Sequence, residues 1–216
     1  MEKFSEQEKY NHAKGQIIMA DMLKEFVQIC IDNDIYYWCV GGTLIGAVRH
    51  RGWIPHDADI DVAMLEKDYN KLQPIIQKKL SSRYWFQDKT TDVHYTDDWG
   101  KIRYLDAYYC DYKPQNWHNG ISIDIFVFKE ENNKIIPLAD DYEFTILNKS
   151  VIFPLKKLSF EGISVYVPNQ YKKYCTDVWG DYPPSELPLA DQYPHEGRIS
   201  FIIPIWMKEK YHTLYR

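Results

Sequence analysis

Three aspartates alternate in the run Asp57-Ala58-Asp59-Ile60-Asp61-Val62. Successive side chains of an extended strand point to opposite faces, so the spacing predicts three carboxylates on one face and Ala58, Ile60 and Val62 on the other. Like charges so placed raise one another's pKa unless a cation or a set of donors neutralises them. A hard divalent metal with oxygen ligands does this. Ahead of the acids stands Gly41-Gly42, after the apolar run Ile35 to Val40 and before a helix-like run from Thr43 to His50. Bare backbone meets a helix N-terminus there, which suits phosphate oxygens. The stretch therefore reads as a metal and phosphate site, with Gly41, Gly42 and Thr43 on the phosphate side. D-x-D-x-D also opens an EF-hand, but the glycine and glutamate that such a loop needs are replaced here by Val62 and Asp68. The glycine pair lacks the Lys-Ser/Thr of a P-loop and the spacing of a dinucleotide fingerprint.

A further acid, Asp124, lies in Ile121 to Phe128, where Ile121, Ile123, Ile125 and Val127 form one face and Ser122, Asp124 and Phe126 the other. An acid among apolar neighbours demands a partner. Combined with the acidic strand, it gives the three-carboxylate layout of two-metal phosphoryl chemistry. Cations are available to such a site. Arg49, His50 and Arg51 close the short helix, where positive charge is favourable in any protein. Lys101 and Arg103 share a strand face and either offset a diphosphate or pair with surface acids. His195, in an irregular proline-containing segment, either touches a substrate or sits on the surface.

The elements that must position these residues are legible from periodicity. Ile17, Ile18, Met22, Phe26, Ile29 and Cys30 recur at helical spacing and predict a helix from Glu6 to Asp32. Ile35 to Val40 reads as a buried strand, Asp57 to Met64 as the acidic strand, and Glu66 to Leu80 as a helix interrupted or kinked at Pro74. Strands are expected over Tyr84 to Gln87, Lys101 to Tyr104, Ala107 to Tyr112, Ile121 to Phe128 and Lys134 to Leu138, extending one sheet. A helix from Asp140 to Asn148, a hairpin around Glu161-Gly162 and a helix from Asn169 to Trp179 follow. The tail from Asp181 reads as irregular. The expected organisation is one globular unit: an N-terminal helical segment over 1–34, a main domain over 35–195 and a C-terminal tail over 196–216.

The chain has 216 residues, enough for one good core, and a net charge of −5 that argues against a nucleic-acid partner. Its four cysteines are scattered without a CxxC pair, which predicts free thiols in a reducing compartment rather than zinc or disulfides. No run approaches a membrane span and the N-terminus has no signal-like apolar stretch, so a cytoplasmic location is expected, barring a targeting segment elsewhere. The 18 tyrosines and 7 tryptophans suit core packing as well as ring stacking.

The run from Gly41 to Val62 strongly resembles the signature of the LicD/fukutin family. So do Ile123-Asp124-Ile125-Phe126, Leu158-Ser159-Phe160-Glu161-Gly162, Val167-Pro168-Asn169 and Trp179-Gly180-Asp181-Tyr182-Pro183-Pro184, in the family's order. The resemblance implies an α+β, nucleotidyltransferase-like fold with a mixed or antiparallel sheet flanked by helices. It implies an enzyme that moves a phospho-substituent, of phosphocholine or alditol phosphate type, from a CDP-linked donor to a sugar or glycan hydroxyl and releases CMP. By the same match, Asp59 and Asp61 are the paired ligands of Mg²⁺ or Mn²⁺, Asp124 is the third carboxylate and Asp57 an additional catalytic acid. His56 and Ala58 depart from the family, which often has tryptophan and an acid there, and the zinc-binding cysteines of fukutin-related proteins have no counterpart. Two other readings stay open: nucleotidyl transfer from an NTP with pyrophosphate release, and a catalytically silent glycan-binding module.

Overall fold

The computed structural model describes residues 5–110, 116–139, 145–182 and 198–215. Helix α1 spans Glu6–Asp32 and opens with a capping box, in which Ser5 and Glu8 each satisfy the other's backbone. It buries Met19, Met22, Leu23, Phe26, Val27, Ile29 and Cys30 against the sheet. Ile17, expected on that face, is 67% exposed. The stripe through Met19 and Leu23 is the one that meets the core.

The strands are β1 (Trp38–Cys39), β2 (Ile60–Leu65), β3 (Tyr84–Gln87), β4 (Gly100–Tyr104), β5 (Tyr108–Tyr109), β6 (Ser122–Glu131), β7 (Lys134–Pro137), β8 (Leu147–Asn148), β9 (Lys156–Phe160), β10 (Ile163–Val167) and β11 (Ile199–Ser200). The main sheet runs β1-β2-β6-β4-β3, with β7 on the far half of β6 and β8 beyond it. Among the described residues β2 and β6 pair in parallel, and the other ladders of this sheet are antiparallel. Both faces of β2 and the first seven residues of β6 are buried. Helix α2 (Gly41–Arg49) connects β1 towards the acidic segment, and α3 (Glu66–Lys79), which contains Pro74, follows β2 directly. The remaining helices among the described residues are α4 (Lys149–Ile152), α5 (Tyr171–Trp179) and α6 (Ile205–Lys210).

Several expectations are corrected. The strand expected over Ile35 to Val40 pairs only at Trp38 and Cys39, and the one expected over Ala107 to Tyr112 is ordered as a ladder only at Tyr108 and Tyr109 among the described residues. The helix placed at Asp140 to Asn148 is not found where the chain is described: Leu147–Asn148 is a strand and the helix is Lys149–Ile152, while 140–144 lie outside the described residues. The C-terminal residues expected as irregular contain β11, paired with β5, and α6. The apolar side chains of Ile199 and Met207 are buried and hold these pieces on the body of the protein.

Candidate active site

The parallel register sets Asp61 of β2 directly opposite Asp124 of β6, and the antiparallel register sets Lys101 of β4 opposite Asp124 on its other side. Directly opposed residues share a face, so Asp61, Asp124 and Lys101 form one row across three neighbouring strands. Asp59 joins the row from the segment just before β2. One oxygen each from Asp59, Asp61 and Asp124 lies within 4.8 Å of the others. This corrects the expected strand from Asp57 to Met64. The ladder begins at Ile60, and residues 54–58 are held by α1 and β5 instead. Gln16 Nε2 donates to the Asp57 carbonyl at 2.9 Å, His12 Nε2 lies 3.1 Å from the Pro55 carbonyl, and the Tyr109 hydroxyl donates to the Ala58 carbonyl.

The segment therefore does not present three acids on one strand face. Asp57 turns to α2, where a methyl placed on Gly42 would lie 2.4 Å from its Oδ2; a methyl on Gly41 would lie 2.3 Å from Asp61 Oδ2. Gly41 also has φ of 52°, a left-handed backbone that side chains disfavour. Both glycines thus let the first turn of a helix close on two carboxylates, where the positive end of the helix dipole stabilises negative charge. Thr43 is fully buried, and its Oγ1 accepts from the backbone N–H of Asp61 at 2.8 Å. Its place in the site is structural support for Asp61.

Asp124 is nearly enclosed. Its Oδ1 accepts from Ser122 Oγ at 2.8 Å; its Oδ2 accepts from Trp99 Nε1 at 3.3 Å and pairs with the Lys101 ammonium. Burial alone would raise its carboxyl pKa, but the charges of Lys101 and Arg103 and the hydrogen bonds from Lys101 and Ser122 hold it below the ordinary value. Arg103, expected with Lys101 to meet a diphosphate or surface acids, is 2% exposed, and its guanidinium donates to Gln87 Oε1 at 2.7 Å and to the Gly120 carbonyl at 2.6 Å. It is anchored in the interior, lines the recess beside the cluster and adds its charge to the field at Asp124. Arg49 sits at the far end of α2, about 12 Å along the axis from Gly41, and donates to His50. His195 lies outside the described residues.

A recess of about 200 Å³ opens beside the cluster, lined by Asp59, Asp124 and Lys101 and also by Asp97, Trp99 and Trp117. These last three were missed. They belong to irregular segments or an element edge, where no periodicity marks which way a side chain faces.

The chain matches the family model for the LicD/FKTN/FKRP nucleotidyltransferase domain over residues 34–170. It belongs to the LicD/FKTN/FKRP family. The matched span carries every carboxylate of the site. Among relatives, an uncharacterized protein of Rickettsia prowazekii is 29% identical, over 92% of this chain and 66% of its own length. The lipopolysaccharide cholinephosphotransferase LicD of Haemophilus influenzae is 24% identical over 87% of this chain and 97% of its own. Human ribitol 5-phosphate transferase FKRP is 23% identical over 77% of this chain but 31% of its own. The chain thus spans about two thirds of the rickettsial protein's length and a smaller part of FKRP. Among the described residues, no helix is long and apolar enough to cross a membrane.

Proposed function

We propose that the chain is a metal-dependent phosphotransferase that moves a phospho-substituent from a CDP-linked donor to a sugar hydroxyl and releases CMP. The observation that carries this reading is the convergence of Asp59, Asp61 and Asp124 oxygens within 4.8 Å at the glycine-opened end of α2. The donor set is three carboxylates, hard oxygen ligands of the kind Mg²⁺ and Mn²⁺ take, so these residues fit such an ion. When bound, the ion would offset the charge of the donor diphosphate and of the departing CMP. Support for the substituent comes from the family, in which one relative is named for phosphocholine and another for ribitol 5-phosphate.

The chain's own groups would do the positioning. Asp61 is fixed by Thr43 and by its place in the ladder, and Asp124 by Ser122 and Trp99. Lys101, already on Asp124, would turn its charge toward the phosphoryl group. The acceptor oxygen bonds to the distal phosphorus as the bridging P–O bond breaks, and CMP leaves with that electron pair while the hydroxyl proton passes to a nearby carboxylate.

The test is a panel of CDP-choline, CDP-ribitol and NTPs with Mn²⁺ or Mg²⁺, reading CMP and pyrophosphate separately. CMP from a CDP donor, lost in Asp61→Ala, is the expected result. Pyrophosphate from an NTP would replace the proposal with nucleotidyl transfer, and full turnover by a folded Asp61→Ala protein would remove the carboxylate assignment.

A further inference from the structure

The row of charges has two flanks. On one side of Asp124 lie Asp61, α2 and the glycine pair; on the other lies β4 with Lys101, and the recess opens on that side, from Asp59 and Asp124 across to Trp99 and Trp117. Phosphoryl transfer needs the attacking and leaving oxygens roughly in line on opposite sides of phosphorus. If the helix end takes the diphosphate, the attacking hydroxyl must come from the β4 side. The recess, at about 200 Å³, is smaller than the roughly 300–1,000 Å³ of pockets for drug-sized ligands. It suits one ring rather than a nucleotide.

Its walls combine two chemistries. Trp99 and Trp117 are each partly exposed and offer indole surface. Both rings are held in place: Trp99 by its N–H on Asp124 and by Phe126 at a centroid distance of 5.2 Å, Trp117 by an edge contact with the buried Tyr95 at 5.5 Å. Rings fixed in advance lose little entropy when a flat apolar face lies on them. Around them stand Asp97, Lys101 and Asn119, able to meet hydroxyl groups on a ring's rim. Asp97 lies partly buried in the same recess as Asp124 and Lys101.

We propose that this recess is the acceptor subsite and takes a single pyranose ring, stacked on Trp117 and bordered by Trp99, with Asp97 accepting the hydrogen bond of the attacking hydroxyl. This rests on the transfer reading above and adds the acceptor's place and class. Burial raises the Asp97 carboxyl above its ordinary pKa, against the opposing charge of Lys101, as befits an acid shielded from water.

The experiment uses the full chain and three probes: methyl β-galactopyranoside, methyl α-glucopyranoside and methyl N-acetyl-β-glucosaminide, followed by saturation-transfer NMR and tryptophan fluorescence. At least one glycoside is expected to bind. Trp117→Ala is expected to weaken it about tenfold, the loss of one aromatic stacking contact. Trp117→Phe should recover part of that affinity, and Asp97→Asn should lower kcat for transfer more than it raises the glycoside KM. Far-UV circular dichroism and the melting temperature check that each variant is folded. No binding by any probe, or binding indifferent to Trp117→Ala in a folded protein, overturns the subsite. CMP release from CDP-choline or CDP-ribitol, with each glycoside and with water alone as acceptor, is measured alongside in the wild type. Glycoside binding at Trp117 without CMP release keeps the subsite and removes the transfer reading, whereas CMP release without Trp117-dependent binding does the reverse.

Discussion

At the scale of single residues, the site is a place where positive and negative charge are packed before any ligand arrives. Lys101 is the clearest case, because its side chain is 11% exposed and the Asp124 partner 6%. Removing one partner of a buried pair typically costs about 3 kcal/mol, since the other charge is left uncompensated. Lys101→Met should therefore lower the melting temperature without metal. The same change removes a cation from beside a cation site, so Mn²⁺ should bind more tightly to Lys101→Met than to the wild type and raise its melting temperature by more. Calorimetric titration with Mn²⁺ and paired melting curves decide this; weaker Mn²⁺ binding in the variant would mean that Lys101 helps to hold the ion's ligands. Gly41 carries a second prediction. Gly41→Ala combines a left-handed φ with a methyl 2.3 Å from Asp61 Oδ2, so it should cost about 1–3 kcal/mol and displace the carboxylate. Gly162→Ala, at φ of 76° with open space around it, bears only the backbone cost. Comparable stability loss in both variants, with CMP release lost only in Gly41→Ala, is the expected pattern. The alternating aspartates were legible because their types and spacing are local facts. Their division between two flanks was not, because it depends on Gln16 and Tyr109 holding the backbone from distant parts of the chain.

At the scale of elements, legibility followed length. Helix α1 was read because apolar residues recur at helical spacing from Ile17 to Cys30 before Asp32-Asn33-Asp34 breaks the pattern, and the structure adds a capping box at its start. The hairpin of β9 and β10 was read from Glu161-Gly162, and both residues do have positive φ, at 49° and 76°, as a two-residue type I′ turn requires. The two-residue strands β1, β5, β8 and β11 carry no period to read, and only tertiary pairing defines them. Glutamate is an unusual choice for a left-handed position, and the neighbouring chain explains it. Glu161 donates its N–H to the Arg51 carbonyl at 2.9 Å, while its Oε1 accepts from Trp53 N–H at 3.1 Å. A methyl on Gly52 would lie 2.0 Å from that same oxygen. The hairpin thus clasps the connector between α2 and the acidic segment. Glu161→Ala should cost about 0.5–1 kcal/mol, the net worth of one partly exposed hydrogen bond. Gly52→Ala should cost a similar amount by pushing the carboxylate away. Because both break the same contact, the double variant should cost less than the sum. Urea unfolding of the four proteins gives the coupling, and strict additivity would show that Gly52 acts through something other than Glu161.

At the scale of the whole molecule, the start of α1 meets β11, whose partner β5 carries Tyr109 on the wall of the recess. Asn11 donates to the Ile199 carbonyl at 3.0 Å, and Arg198 pairs with Glu8 at 2.8 Å, so α1 holds β11, which pairs with β5. Further on, Met207 and Tyr211 form a small second core with Trp85 and Leu105. At its edge lies His118, next to Trp117 and fully buried. Gly120 N–H donates to its Nδ1 at 3.2 Å, which leaves Nε2–H to donate to Tyr215 Oη at 2.8 Å; that hydroxyl in turn donates to the Leu105 carbonyl at 3.1 Å. The chain of donors works only with a neutral imidazole, because a proton on Nδ1 would face the Gly120 N–H. Burial, and after it the charge of Arg103, depresses the His118 pKa to about 3. An unfolded histidine titrates near 6.5, so between those values the unfolded state binds the extra proton and folding loses ground as pH falls. The stabilisation is complete above about 6.5 and declines by about 1.4 kcal/mol for each pH unit below it. From pH 6.5 to pH 5 this is about 2 kcal/mol, before carboxylate titration contributes much. His118→Gln should be less stable than the wild type at pH 8, because no amide repeats both hydrogen bonds, yet it should lose less stability on acidification. Denaturant midpoints at pH 8, 6.5 and 5 for the two proteins test this, and parallel pH slopes would show that His118 is not the group that ties the recess wall to the C-terminal residues.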